Sequence, residues 1–259
     1  MSKLDEIIAH KCMEVETAKN TVSLDMLQDQ ITRLNPPRRL VQTDKLQLIA
    51  EVKRKSPSMG TIRQDFDPLW LAQTFEAHGA AAISVLTDEA YFGGSLDILR
   101  QIRKHSSLPL LRKDFIVDLY QVYETKAAGA DIVLLIVKVV GKALPELMAA
   151  ASMLDLQVLV EVHDSAELQE AIRALPNYPN ALIGINNRNL ENFTIDTGTS
   201  LRLAHSIPSQ IFKVAESGIN STNQLQEMAK AGFDAVLIGS GLAANPKLLN
   251  YFKHEQTPN

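Results

Sequence analysis

Ile49-Ala50-Glu51-Val52-Lys53-Arg54-Lys55-Ser56-Pro57-Ser58 is an apolar run that turns polar and charged toward its carboxyl end. Side chains alternate along a strand, so Glu51 and Lys53 project to the same side near that end. In isolation the segment is explained equally well by a solvated ion pair at a strand terminus. The same design recurs along the chain, however. Lys113 ends Leu110-Leu111-Arg112-Lys113, Glu161 ends Val158-Leu159-Val160-Glu161, and Asn186 and Arg188, two residues apart, close Ile183 to Arg188. Glu216 and Ser217 follow Ile211 to Ala215. Functional groups collected at the carboxyl ends of several strands are the habit of closed α/β barrels, whose loops open onto one shared mouth.

Between these runs lie segments with helical spacing, which gives an alternation of strand and helix from about residue 48 onward. Strands are expected at Leu48 to Lys53, Ala81 to Thr87, Pro109 to Lys113, Asp131 to Val137, Gln157 to Glu161, Ala181 to Asn186, Ile211 to Ala215 and Asp234 to Gly239. Helix ends are marked by residues that satisfy orphan backbone groups: Asp67-Pro68 opens one helix and Gly79 closes it, Asp118 and Ser221 open others ending at Gly129 and Gly232, and Asp164 with Glu167 has capping-box spacing. His78-Gly79-Ala80, Ala128-Gly129-Ala130-Asp131 and Ala231-Gly232-Phe233-Asp234 each lead into an apolar strand, a weak repeat of one βα unit. Such units build a barrel or a doubly wound sheet, and the repeat alone does not separate the two. Residues 1–47 stand outside the alternation. Amphipathic spacing in Leu4 to Ala18 and near Leu24 to Leu34 predicts two helices packed on the main body, over one end of it.

Composition narrows the functional class. A chain of 259 residues, 46% hydrophobic and 22% charged, has the makeup of a globular protein. Its net charge of -4, without a long basic run, argues against nucleic-acid binding by bulk charge, so an anion must be held by a local pocket. The single cysteine, Cys12, excludes an internal disulfide and a multi-thiolate metal site, and the histidines show no paired ligand spacing. The opening residues lack a signal-type apolar core, and the longest apolar run, Ile132 to Val137, is too short to span a bilayer. The expected setting is cytoplasmic, with neither a membrane nor a nucleic-acid partner.

Two turns bear glycine after the last two strands, Glu216-Ser217-Gly218-Ile219 and Ile238-Gly239-Ser240-Gly241. Glycine allows close approach of backbone to a ligand, and a phosphate site after strands seven and eight recurs in barrels. Tyr91 and Phe92 sit in a loop after the second strand, where an aromatic side chain could cover a planar substrate. Trp70 and Phe75 read as core, Cys12 as packed within its helix, and His163 as a structural loop residue outside the catalytic set.

Taken together, Glu51 to Ser58, Leu86-Thr87 with Tyr91 to Ser95, Arg112-Lys113-Asp114-Phe115-Ile116, Leu159-Val160-Glu161-Val162, Ile185 to Leu190, Ala215 to Ile219 and Leu237 to Ser240 closely resemble indole-3-glycerol-phosphate synthases of tryptophan biosynthesis. The resemblance runs from the N-terminal helices to the last helix. It implies a single (β/α)8 TIM barrel over residues 1–259, with 1–47 as an N-terminal helical extension. It implies conversion of 1-(2-carboxyphenylamino)-1-deoxyribulose 5-phosphate to indole-3-glycerol phosphate with loss of carbon dioxide and water, without metal or organic cofactor. By the same resemblance, Lys113 is the general acid and Glu161 the general base, while Lys53 stabilises anionic groups and Glu51 positions them; Asn186 and Ser217 complete the catalytic set. Asn186 and Arg188 orient the anthranilate part, Phe92 and Phe115 pack on its ring, and Ser56 supports Lys53. Ser217, Gly218, Gly239 and Ser240 cradle phosphate, and Glu216 and Leu237 join the substrate-binding residues. Association with other enzymes of the pathway stays open. Two rivals remain: another phosphosugar barrel, such as the neighbouring isomerase, and a non-catalytic barrel that senses a phosphorylated metabolite. The pairing of Glu51 and Lys53 with Lys113 disfavours the first, and acid and base candidates on three strands disfavour the second.

Overall fold

The computed structural model describes residues 2–31, 36–57, 60–62 and 65–253. Ser58 and the end of the helix expected near Leu24 to Leu34 lie outside them. Eight parallel strands, β1 (Gln47–Val52), β2 (Ala82–Leu86), β3 (Leu110–Lys113), β4 (Ile132–Ile136), β5 (Gln157–Val162), β6 (Leu182–Asn186), β7 (Phe212–Glu216) and β8 (Ala235–Ile238), pair in sequence, and β8 returns to β1 to close a barrel. Closure removes the doubly wound alternative. Each expected strand is found within about a residue of its predicted ends.

Both faces of these strands are apolar because helices cover the outside and side chains fill the inside. Ile49, Leu111, Leu159, Val214 and Leu237 lie in the interior cluster, whereas Leu48, Ile83, Val85, Val133 and Val160 belong to the larger cluster under the helices. The helices are α1 (Lys3–Thr21), α2 (Leu24–Ile31), α3 (Pro68–Ala77), α4 (Glu89–Phe92), α5 (Leu96–His105), α6 (Leu119–Ala127), α7 (Val137–Val140), α8 (Leu144–Met153), α9 (Ser165–Ala174), α10 (Gly198–Ala204), α11 (Thr222–Lys230), α12 (Ser240–Ala244) and α13 (Leu249–Lys253). Asp67 caps α3 with Pro68 at its start, and Asp118 with Gln121 and Ser221 with Gln224 form capping boxes on α6 and α11. The repeated joints work as expected: Gly79, Gly129 and Gly232 take φ of 83°, 86° and 78°, the left-handed region that ends a helix cheaply only with glycine. The box at α9 is half formed. Asp164 accepts from the Glu167 N–H at 2.9 Å, but the Glu167 carboxylate turns to His163 instead.

The N-terminal extension engages both ends of the barrel. Leu4 and Ile7 of α1 are buried with Phe115 and Leu190 on the carboxyl-end side, while Val15 and Leu27 pack with Tyr120 of α6. Residues 38–42 then cross the amino ends of the strands. The Arg38 N–H donates to Asp131 at 2.8 Å, the Gln157 amide pairs in both directions with the Leu40 backbone at 2.8 and 2.9 Å, and Gln42 donates to Asp234 at 3.1 Å. Leu40 itself is buried in the interior cluster.

Two expectations fail. Trp70 is 55% exposed, because the buried face of α3 is set by Leu71, Ala72 and Phe75 and leaves Trp70 on the opposite side. Cys12 is exposed, beside the stripe of Leu4, Ile7, Lys11 and Val15 that α1 buries. Among the described residues no helix is long and apolar enough to cross a membrane.

Candidate active site

Moving two residues along a strand keeps a side chain on the same face, one layer higher. From Ile49, Leu111, Leu159 and Val214 this step arrives at Glu51, Lys113, Glu161 and Glu216, so an apolar floor carries a charged layer at the barrel's carboxyl end. The same step from Leu182 and Leu237 arrives at Gly184 and Gly239. Their lack of a side chain leaves room for the carboxylates as they are placed: a Cβ on Gly184 would collide with Glu216 Oε1, and one on Gly239 with Glu51 Oε1.

One cavity opens over this layer, and Glu51, Lys53, Lys113, Glu161, Asn186 and Ser217 all line it. So do Ser56, Phe92, Phe115, Arg188, Glu216, Gly218, Leu237, Gly239 and Ser240. Lys113 Nζ pairs with Glu161 Oε2 at 2.8 Å and Glu216 Oε2 at 3.2 Å, and Lys53 pairs with Glu51. Asn186 donates from Nδ2 to Glu161 Oε1 at 3.0 Å and accepts the Arg188 N–H on Oδ1 at 3.0 Å.

Burial opposes every charge here, and the neighbours decide which survive. Lys113 is desolvated, yet Glu161, Glu216 and Glu51 outweigh that and raise its pKa above the ordinary lysine value. Glu161 is likewise desolvated, but Lys113 and then His163 hold it below the usual carboxylate range. Glu216 goes the other way: burial, with the negative charge of Glu161 added, raises it despite Lys113. The site therefore holds an ammonium, an ionised carboxylate and a carboxyl group that favours its proton within contact of one another.

Directly after Glu216, Ser217 and Gly218 adopt consecutive left-handed conformations, φ 66° and 81°. Such a conformation is strained for serine. It is held by Asn187, whose Nδ2 donates to the Ser217 carbonyl at 3.0 Å while its Oδ1 accepts from the Ser200 N–H at 2.9 Å and hydroxyl at 2.8 Å. Tight turns of this kind form concavities that suit anions, and Gly239 and Ser240 face the same space. The aromatic wall is formed by Phe92 and Phe115, with ring centroids 6.2 Å apart. Tyr91 does not join it; its ring meets His10 edge-on and lies under Lys3, both on α1.

Several contributors escaped the sequence-level reading. Lys11 of α1, 4% exposed, pairs with Asp88 at 3.0 Å, Asp114 at 3.0 Å and Glu14 at 2.5 Å. Asp88 caps α4 by accepting the Tyr91 and Phe92 N–H groups at 2.8 and 3.3 Å, so the wall that includes Phe92 is fastened to the N-terminal helix. The available signal was a lysine inside the apolar stripe Leu4, Ile7, Val15. Asn187 sat inside a motif already in view, and His163, one residue past another, was placed outside the catalytic set although its Nε2 lies 3.2 Å from Glu161.

Residues 4–254 match the family model described as Indole-3-glycerol phosphate synthase. A protein of that name from Chlorobium chlorochromatii is 44% identical over 255 residues, spanning 96% of this chain and 98% of the relative. Another from Acidithiobacillus ferrooxidans is 46% identical over 244 residues, 91% of each chain. A third, from Campylobacter fetus subsp. fetus, is 40% identical over 255 residues, 96% of this chain and 97% of its own.

Proposed function

The chain belongs to the indole-3-glycerol phosphate synthase family, and on that premise we propose that Lys113 and Glu161 are the acid and base of its reaction. The enzyme is a carboxy-lyase of tryptophan biosynthesis. It closes the indole ring of 1-(2-carboxyphenylamino)-1-deoxyribulose 5-phosphate and releases carbon dioxide and water. The observation that carries the assignment of roles is the contact of Lys113, on β3, with Glu161 and Glu216, on β5 and β7, within one cavity.

The ring carbon bearing the carboxylate attacks the ketone carbon, and the ketone oxygen takes a proton from Lys113, becoming a hydroxyl. Loss of carbon dioxide returns the electron pair to the benzene ring. The hydroxyl then leaves as water, which requires a second proton; Glu216, kept protonated by burial, stands beside Lys113 to supply it. Glu161 removes the proton from the methylene carbon next to nitrogen and completes the indole. A preorganised ammonium acting where negative charge develops is an efficient source of rate. Lys53, held by Glu51, faces the anionic groups, and Asn186 and Arg188 orient the anthranilate carboxylate. Phe92 and Phe115 flank its ring, Ser56 supports Lys53, and Ser217, Gly218, Gly239 and Ser240 receive the phosphate. The chain works as one domain, residues 1–47 forming its helical extension, in the cytoplasm.

Incubation of the purified protein with the carboxyphenylamino deoxyribulose phosphate is expected to produce indole fluorescence, and Lys113→Met or Glu161→Gln to lower turnover by roughly 10² to 10⁴. Folded variants with wild-type turnover would refute these roles. Replacing Ser240 with leucine is expected to raise KM with little change in kcat; an unchanged KM would move the phosphate elsewhere.

A further inference from the structure

His163 follows Glu161 by two residues at the mouth of β5, and its ring lies between two carboxylates. Nε2 lies 3.2 Å from Glu161 Oε1, and Nδ1 lies 2.9 Å from Glu167 Oε2 on α9. The same Glu167 oxygen accepts the His163 backbone N–H at 2.8 Å, and Asp164 holds the Glu167 backbone in turn. The ring is thus fixed in orientation by α9 while it touches a carboxylate that faces the substrate cavity.

We infer that His163 is a positioning residue for Glu161, bridging it to Glu167 and supplying the cation that remains beside it when Lys113 gives up its proton. The inference rests on the acid and base roles proposed above. Its physical basis is charge balance in a buried layer. Glu161 is fully buried and has two cationic neighbours, Lys113 on Oε2 and His163 on Oε1, with Asn186 adding a neutral donor to Oε1. The other ionisable groups nearest this cluster are Glu216 from β7, Glu51 from β1 and Glu167 from α9, all of them carboxyl groups. The remaining cations of the cavity, Lys53 from the end of β1 and Arg188 from beyond β6, interact with Glu51, Lys53 being paired with it, so His163 is the cation in contact with Glu161 once Lys113 is neutral. A neutral amide at position 163 would lose that compensation.

The ring is suited to the task. Burial disfavours its charge, but Glu161 and Glu167 outweigh burial and push its pKa up to about 9, so it stays cationic through neutrality.

The test is the pH dependence of kcat for the wild-type enzyme, His163→Gln and Glu167→Gln with the carboxyphenylamino deoxyribulose phosphate. Loss of an adjacent opposite charge raises a carboxyl pKa by about one to three units. The acidic limb of His163→Gln is therefore expected to move up by that much, with KM little changed, and that of Glu167→Gln to move the same way by less. A purely structural role would lower stability without moving the limb. An unmoved limb in folded His163→Gln overturns the inference, whatever happens to kcat at its plateau. If that variant does not fold, an unmoved limb in Glu167→Gln overturns it equally. Turnover retained by Glu161→Gln would instead sink the assignment of the base.

Discussion

Gly184 shows how much of this site depends on a side chain that is missing. Its neighbours in the charged layer are large and ionisable, and the Glu216 carboxylate occupies the space a Cβ at 184 would take. Gly184→Ala is expected to fold, because the neighbouring positions of β6 are ordinary apolar residues, yet to displace Glu216 against Lys113. A misplacement near 1 Å costs on the order of 10² in rate, so steady-state kcat should fall by that amount; an unaffected kcat would mean that Glu216 need not occupy this position. His163 makes a second prediction at the same scale. Its pKa is about 9 in the folded protein against 6.5 ordinarily, so proton binding favours the folded state. That stabilisation is complete below about pH 6.5 and disappears as pH rises through 9. The urea midpoint of the wild-type protein relative to His163→Gln should therefore be highest near pH 6 and shrink by pH 10. A difference independent of pH would show that the ring is not charged in the folded state. Roles of this kind are hard to read from a linear chain. Glu51, Lys113 and Glu161 announce themselves as charges at the ends of apolar runs, whereas a glycine inside Leu182 to Asn186 looks like any glycine until its cross-strand neighbour is known.

Among the elements, α1 couples the extension to the site. Lys11 brings one positive charge to Asp88 and Asp114 at the ends of β2 and β3, and Arg112 shares Asp114 at 3.1 Å while reaching Glu124 of α6 at 2.8 Å. Breaking a buried pair by removing one partner costs about 3–5 kcal/mol because the other charge is left uncompensated. Lys11→Met should lose stability of that order in chemical denaturation, and KM should rise because the Asp88 cap that places Phe92 is loosened. A Lys11→Met protein as stable as the wild type would show that α1 is held by Leu4 and Ile7 alone. Strand positions were legible because buried parallel strands leave apolar runs bounded by glycine joints and capping residues, and eight of these were found close to their expected ends. The docking of α1 was less legible. Its amphipathic spacing predicts a packed helix, but the partners of Lys11 lie in other elements far along the chain, and local periodicity carries no information about them. Trp70 was misplaced for a related reason, since helical spacing identifies an apolar face only once the residues that define it are chosen correctly.

At the scale of the whole molecule, the 38–42 tether and the chemistry occupy opposite ends of the barrel. The crossing segment at residues 38–42 ties down the amino ends of β4, β5 and β8 through Asp131, Gln157 and Asp234, while the reacting groups stand on the carboxyl ends. Leu40→Ala should cost about 2–5 kcal/mol, as for other buried leucines, while the kcat of the remaining folded enzyme stays near wild type. A large fall in kcat without loss of stability would show that the two ends are coupled. In the proposed mechanism, groups from separate strands act in order on one substrate, Lys113 at ring closure and Glu161 at dehydration. Single-turnover reaction of substrate labelled in its carboxylate, following carbon dioxide and indole together, tests this most directly. Lys113→Met should release neither at an appreciable rate, and Glu161→Gln should release carbon dioxide well ahead of indole. Carbon dioxide released at the wild-type rate by Lys113→Met, or indole formed at that rate by Glu161→Gln, would contradict it.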